Sequence, residues 1–307
     1  IGSSGTCLPY IGFLQFLGNH ANSNYNSLQV TLTKRYSHGL YLLAGYTYGH
    51  AIDTSTNNVA QSAGVPQNSL DYAGERGNGD YDIRNRFTLS ATYDLPSREA
   101  PLQMLKGWQL NGILTLEGGE PFTLGDFSND ISATGEFNDR WNMFGSAKNV
   151  SWSTTSANSS SCNPQHHLCY YSFEDDSSSN QLCEQHASID QLESLGCYQS
   201  RNTVIVPPDF GDFGNMGRNI FRGPGFRNFD FSIGKVWNLS ERFKLQFRSE
   251  FFNLTNHPNF DVFTMRTNLN SPSSVAVVRF TPDVGESNPV IGSGGSRHIQ
   301  FGLKLLW

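Results

Sequence analysis

The sequence predicts an all-β protein: an antiparallel transmembrane β-barrel portion of about seven to eight strands, with long extracellular loops. Three observations predict it. Apolar and polar residues alternate along most segments of strand length, the connections between these segments alternate between short and long, and the last ten residues form an alternating strand that ends on an aromatic residue. A membrane barrel requires the alternation because one face of each strand meets lipid and the other meets the lumen.

The composition agrees with a membrane barrel and excludes other classes. Of the 307 residues, 16% are charged and 13% are aromatic. No run approaches the ~20 consecutive apolar residues of a transmembrane helix. A barrel strand escapes that requirement because only every second residue has to be apolar. The formal net charge of −6 argues against a nucleic-acid partner, which selects basic surfaces.

The C-terminal strand gives the clearest alternation. Its apolar positions share one face, and we expect them to form the strand through which the barrel is assembled; they are Ile299, Phe301, Leu303, Leu305 and Trp307. An aromatic residue at the rim suits the interface between membrane and water. By itself, this strand would also fit the edge of a soluble sandwich.

Six further segments alternate in the same way. An additional candidate at the start of the chain, residues 8–17, alternates imperfectly and is not one of these six. The other predicted strands are 25–35, 40–50, 80–95, 107–118, 226–237 and 243–256, and a short additional strand around 275–280 is possible. Most approach the 9–11 residues with which a tilted β-strand crosses a bilayer.

The connections are sorted by length. From residue 25 onward the short links are 36–39, 96–106 and 238–242, and the long ones are 51–79, 119–225 and 257–297. In an antiparallel meander, all short links then lie at one end and all long links at the other. The link 18–24 is an exception, because it is short although it lies at the end of the long links. Outer-membrane barrels have short periplasmic turns and long extracellular loops, whereas a soluble sandwich has no reason to sort its loops.

One strand carries a row of polar residues on its second face: Lys244, Gln246, Arg248 and Glu250. Burial of this row in a dry core would carry a large desolvation penalty, so we expect it to face a watery lumen. A sandwich strand whose polar face meets bulk solvent is the alternative. The row also has the chemistry to contact a plug or a substrate, although a lining without a specific role explains it equally.

The 119–225 insertion contains four of the five cysteines, Cys162, Cys169, Cys183 and Cys197. Four cysteines allow three pairings, of which the local pairs 162–169 and 183–197 are the simplest. Cysteines clustered in a Ser/Asn-rich loop suggest an oxidising compartment, and reduced thiols are the alternative.

No candidate catalytic, cofactor-binding or metal-binding residue emerges, and we expect no enzymatic activity. His166 and His167 lie between Cys162 and Cys169, but the spacing does not match the usual short zinc pairs. Acidic clusters at 126–130, 174–176 and 209–212 lack a twelve-residue EF-hand pattern.

Several segments resemble the C-terminal barrel of TonB-dependent outer-membrane receptors, in particular the subgroup with an N-terminal carboxypeptidase-regulatory-like domain. The most specific run extends from Arg222 to Phe260. The matching segments include Gly107-Trp-Gln-Leu-Asn-Gly112, Gly118-Gly-Glu-Pro-Phe-Thr123, Gly217-Arg-Asn219, Arg222-Gly-Pro-Gly-Phe-Arg-Asn-Phe-Asp230, Leu245-Gln-Phe-Arg-Ser-Glu250 and the terminal residues 297–307. The Cys-containing insert does not match.

The resemblance implies a barrel of 22 strands with a plugged lumen. We therefore expect residues 1–307 to be a single barrel segment, the C-terminal part of a larger barrel in the outer membrane of a Gram-negative bacterium. The implied partners are outer-membrane lipid, a plug domain, TonB and an unknown small ligand: a siderophore, an oligosaccharide or a peptide. The alternatives are a small passive barrel acting as an adhesin or pore, and a secreted glycan-binding β-sandwich.

Overall fold

Seven long antiparallel strands form one sheet whose spatial order is the order of the chain. The computed structural model describes residues 18–55, 66–126, 129–135, 138–156, 169–173, 182–257, 259, 267–268 and 296–307. The strands are β1 (Ser23–Ser37), β2 (Leu40–Asp53), β3 (Asn85–Asp94), β4 (Trp108–Glu117), β5 (Phe226–Asn238), β6 (Lys244–Phe252) and β7 (His298–Leu306). Such a meander arises when each strand pairs with its neighbour in sequence.

One face of the sheet carries an apolar row in each of the seven strands, interrupted by Lys34, Arg227 and Lys235. The cross-strand register places Tyr46 opposite Phe87, Phe87 opposite Leu116 and Phe247 opposite Leu303. Because side chains alternate between faces, this register gathers the apolar rows of all seven strands on the same side. Leu32 and Phe301 are 63% and 69% exposed. These rows therefore do not meet each other across a dry interior.

The opposite face is polar and carries hydrogen bonds that cross the strands. Thr92 Oγ1 donates to Asn111 Oδ1 at 2.9 Å, and Asn111 Nδ2 donates to Ser232 Oγ at 3.2 Å. Gln109 Nε2 donates to Asp94 Oδ1 at 2.8 Å. Cross-strand polar pairs of this kind stabilise neighbouring strands while leaving the face hydrated.

The connections fall into two groups at opposite ends of the sheet. Residues 38–39, 95–107 and 239–243 link strands at the short-connection end, and 54–84, 118–225 and 253–297 link them at the long-connection end. β1 and β7 are the outermost strands, and the described part of the sheet does not close on itself. None of the helices in the described ranges has the length and hydropathy to cross a membrane.

The fold class is confirmed, with changes at strand boundaries. The sequence predicts residues 80–84 in a strand, but β3 begins at Asn85. Asp80 and Asp82 instead contact Arg218 and Arg222 of the 119–225 insertion. β6 ends at Phe252, where Asn253 has a left-handed backbone (φ 45°). The candidate strands 8–17 and 275–280 lie outside the described residues.

The long connections fold together instead of remaining irregular. We refer to residues 66–84, 118–126, 129–135, 138–150 and 182–225 as the loop cluster. Its smaller elements are the helix α1 (Ile189–Leu195), the 3-10 turns Tyr72–Glu75 and Ala147–Asn149, and the short strands Gly77–Asn78, Pro121–Phe122, Leu124–Gly125, Asn142–Phe144, Tyr198–Ser200, Thr203–Val206 and Phe221–Arg222. A 3-10 turn at the short-connection end spans Pro101–Gln103, and the remaining strands are Trp152–Ser156, Cys169–Phe173 and Thr267–Asn268.

The loop cluster has a dry core of its own. Trp141, Leu124 and Ile205 are fully buried in it, and Phe122 packs against Phe221 with ring centroids 5.7 Å apart. A second small cluster surrounds the disulfide between Cys183 and Cys197. The described part of the molecule thus buries its apolar core in the loops and exposes the apolar face of its sheet.

Candidate functional site at the long-connection end

Arg218 joins the loop cluster to the rim of the sheet. Its guanidinium pairs with the Asp53 carboxylate at the end of β2 and donates to the Asp53 carbonyl at 2.7 Å. Its Nε donates to the Glu75 carbonyl at 2.9 Å, and Asp80 lies 3.5 Å from Nη1. One planar fork thereby binds the end of β2 and two residues of the segment 66–84, which a lysine could not reproduce.

A second arginine pair lies deeper in the loop cluster. Arg140 and Glu75 form a bidentate pair with N–O distances of 2.9 and 2.8 Å, and both side chains are almost fully buried. Gln67 completes the arrangement: its Oε1 accepts from the Arg140 backbone N–H and its Nε2 donates to the Gly214 carbonyl. Because every polar atom of such a buried pair needs a partner, these contacts fix the relative positions of three loop segments.

The Asp82 carboxylate accepts hydrogen bonds from a third group of donors. Its carboxylate pairs with Arg222 and with Arg84 Nε, and it accepts from the Ala51 backbone N–H at 2.7 Å. Burial alone would raise the pKa of Asp82, but the hydrogen bonds from Ala51, Arg222 and Arg84 outweigh it, and its pKa lies below the ordinary value. This carboxylate is therefore held in its charged form at the rim.

Asn219 and Gly119 provide the close backbone contacts of this rim. Asn219 has a left-handed backbone (φ 56°), and its Nδ2 donates to Asp80 Oδ1 at 2.6 Å. A Cβ on Gly119 would lie 1.7 Å from the Gly223 carbonyl oxygen, so only glycine permits this approach. The pair of glycine-rich segments in the sequence thus brings the two ends of the 119–225 insertion together.

Asp139 is the least satisfied carboxylate of the loop cluster. Its Oδ2 accepts from the Ser132 backbone N–H at 2.8 Å, while the buried Oδ1 has no partner among the described residues. Burial raises the pKa of Asp139, and the neighbouring Asp130 charge adds to the rise. Asp82 and Asp139 are therefore two buried carboxylates whose pKa values shift in opposite directions.

The structure places Lys244, Gln246, Arg248 and Glu250 on one face of β6, with Leu245 and Phe247 on the other. The Arg248 and Glu250 side chains lie 3.7 Å apart, and Arg248 is largely exposed. That this row lines a lumen stays a prediction. The apolar positions of β7, Ile299, Phe301, Leu303 and Leu305, pair in register with β6, and Trp307 follows the strand.

The structure forms one of the two expected disulfides, Cys183–Cys197, with a Cα–Cα distance of 6.3 Å. Cys162 lies outside the described residues, as do His166, His167 and the side chain of Cys169, so the pair 162–169 stays a prediction. Within the described ranges, no group of three His, Cys, Asp or Glu side chains is arranged to hold a metal ion.

The sheet pattern and the sorted connections together describe a membrane barrel, and a comparison with protein families decides its class. A family model for the outer membrane beta barrel domain matches residues 2–300. The chain belongs to this family. The outer membrane beta barrel domain places the protein in the outer membrane of a Gram-negative bacterium. No curated protein and no solved structure gives a significant match.

Sequence reasoning did not predict that Arg218 and Arg222 would meet distant carboxylates at the rim of this outer-membrane barrel. The segments Gly217–Asn219 and Arg222–Asp230 were singled out only by resemblance, and they now contribute Arg218, Asn219 and Arg222 to the rim. Their partners lie 138 to 165 positions away in the chain. The available signal was a concentration of Asp, Arg and Gly at 75–84 and at 211–223, without a pattern that pairs them.

Proposed function

We propose that this outer-membrane barrel is part of a TonB-dependent receptor that takes up a scarce nutrient: a siderophore, an oligosaccharide or a peptide. In this proposal the apolar face of the sheet contacts lipid, the polar face lines the lumen, and the loop cluster captures the ligand at the extracellular mouth. The barrel carries no enzymatic activity of its own, and TonB moves a plug domain to release the ligand inward.

The observation that carries the proposal is the sheet with its two outer strands. Each of β1 and β7 has a strand neighbour on only one side in the described part of the chain. Backbone groups in lipid must all be hydrogen-bonded, so in this proposal at least one further strand completes the barrel. The resemblance to TonB-dependent receptors implies a barrel of more than eight strands, whose lumen needs a plug or forms a channel.

The loop cluster supports a receptor more than a passive pore. Its own core and its arginine bridges hold it rigidly at the mouth, and it presents the exposed apolar side chains of Leu70, Phe210 and Ile189 to the outside. Binding residues are often carried on loops that a rigid scaffold positions. The resemblance of the rim segments to those of TonB-dependent receptors points the same way.

The test is a deletion of the gene in strains with and without TonB, followed by growth on a panel of limiting iron chelates, oligosaccharides and peptides. We expect one nutrient class to require both the gene and TonB. Uptake that needs the gene but not TonB would contradict the proposal and indicate a passive barrel.

A loop variant separates capture from assembly. Glu117 pairs with Phe226 across the β4–β5 ladder, so residues 119–224 can be replaced by a short turn without moving either strand. We expect this variant to reach the outer membrane and to keep the gel mobility of an unboiled barrel, but to lose uptake. A variant with an altered 239–243 turn is the control and should retain uptake.

A further inference from the structure

The connection between β3 and β4 does not extend away from the sheet. We define residues 101–106 as the foot. Lys235 lies on the apolar face of β5, in register with Trp108 and Phe247. Its Nζ donates to the carbonyls of Gln103 and Lys106. Since the amino group lies on the apolar side, the foot must fold back over that side of the sheet at its short-connection end.

Further contacts fix the foot in this position. Lys235 Nζ lies 5.3 Å from the ring centroids of both Trp108 and Trp237, so the cation is enclosed by two aromatic rings and two carbonyls. Trp108 Nε1 donates to the Met104 carbonyl at 2.7 Å. Gln103 exchanges two hydrogen bonds with the backbone of Asn238, at 2.8 and 3.0 Å. The foot is thereby attached to two different hairpins.

Most of the side chains that the foot exposes are apolar, and the exception is Lys106, which pairs with Glu99 at 2.9 Å. Leu102 is 85% exposed, Met104 62% and Leu105 53%, and Leu239 of the adjoining turn is 59% exposed. Leu102 and Gln103 both have left-handed backbone angles (φ 53° and 56°), which non-glycine residues adopt rarely. These exposed apolar side chains belong to a turn that hydrogen bonds hold in place, so they form a candidate contact surface.

We propose that the foot is a membrane anchor that inserts Leu102, Met104 and Leu105 among the phospholipids of the periplasmic leaflet. Short connections of outer-membrane barrels lie on the periplasmic side. The foot continues the apolar face of the sheet, and Trp108 and Trp237 stand where aromatic residues mark the membrane interface. The inference rests on the proposed assignment of the apolar face to lipid.

The test uses an environment-sensitive fluorescent amino acid at position 102 of the full-length gene product in phospholipid nanodiscs. Quenching by lipids brominated near the headgroup is compared with quenching by lipids brominated deep in the chain. Leu89, in the middle of the apolar face of β3, is the lipid control, and Leu70, 95% exposed at the long-connection end, is the water control.

We expect quenching at position 102 by the shallow bromines, quenching at 89 by the deep ones, and none at 70. Quenching at 89 without quenching at 102 would overturn the anchor, including the case in which a periplasmic protein covers the foot instead. No quenching at 89 would instead overturn the assignment of the apolar face to lipid.

A second variant tests how the foot is held. Lys235→Met removes the donor to both carbonyls and should release the foot, which predicts a loss of quenching at 102 and unchanged quenching at 89. Lys244→Met, on the polar face of β6, is the matched control and should leave both positions unchanged. Unchanged quenching at 102 in Lys235→Met would overturn the anchoring role of the amino group.

Discussion

The sheet and the loop cluster of this barrel are stabilised in opposite ways. The sheet exposes most of its apolar side chains on one face, and on its polar face the largely exposed Arg248 lies 3.7 Å from Glu250. The loop cluster buries both kinds: Trp141 lies in a dry core and Arg140 pairs with Glu75 out of solvent. The comparison teaches that loss of one partner should cost little for an exposed arginine–carboxylate pair on the sheet and much more for a buried pair in the loops.

The largest expected difference in stability between the two regions comes from breaking one arginine–carboxylate pair in each. Arg140→Met leaves the Glu75 carboxylate buried without its partner, which costs about 3–5 kcal/mol. Arg248→Met removes an exposed pair worth about 0–1 kcal/mol. Hydrogen exchange and limited proteolysis of residues 118–150 should show opening of the loop cluster only in the first variant. Equal protection in both variants would show that the buried pair does not hold the cluster.

A methyl group added to a glycine in each region gives a smaller difference in stability. Gly119→Ala places a Cβ against the Gly223 carbonyl and should destabilise the loop cluster by about 1–3 kcal/mol, because the two segments must separate. Gly302→Ala in β7 is the control, since no atom lies within 4 Å of the added Cβ. Thermal unfolding followed by loop proteolysis measures both, and a destabilised Gly302→Ala variant would contradict the open polar face.

The smallest expected effect is the change in the stability of the loop cluster with pH. Asp82 has a lowered pKa, so its contribution to stability is present above the unfolded pKa and is lost as pH falls through the folded value. Asp139 has a raised pKa, so stability falls as pH rises from the ordinary aspartate value to the raised one.

Asp82→Asn should therefore flatten the acid limb of loop stability, and Asp139→Asn should flatten the loss of stability at higher pH. Hydrogen exchange of residues 118–150 across the acid range measures both slopes. If the two variants changed the same limb, the opposite shifts of the two carboxylates would be wrong.

The sheet could be predicted from sequence because its pattern is local. Alternate residues of each strand face one of two uniform surroundings, one apolar and one polar. The face of residues such as Phe87, Leu89 and Ala91 can therefore be predicted without knowing which strands lie beside them. The same reasoning failed at 80–84, where Tyr81 and Ile83 alternate with aspartates. Asp82 is drawn out of the strand pattern by Arg222, 140 positions away.

The loop cluster could be predicted only in part. The Cys183–Cys197 bond was predicted because its partners are close in sequence. The bridge between Arg140 and Glu75 spans 65 positions, and Arg218 reaches 165 positions back to Asp53. No periodicity encodes such pairs, because an arginine that will be buried against a distant carboxylate looks like any surface arginine in the sequence.

Nearest-neighbour order in the sheet has an evolutionary consequence. Because the seven long strands of the described sheet follow one another in chain order, a duplicated hairpin brings its own strand pair and its own two faces. A barrel of this kind can therefore gain two strands at a time by replacing one strand-to-strand ladder and keeping all the others. Gene duplication can then change the circumference of the barrel without changing the sequence of the loops.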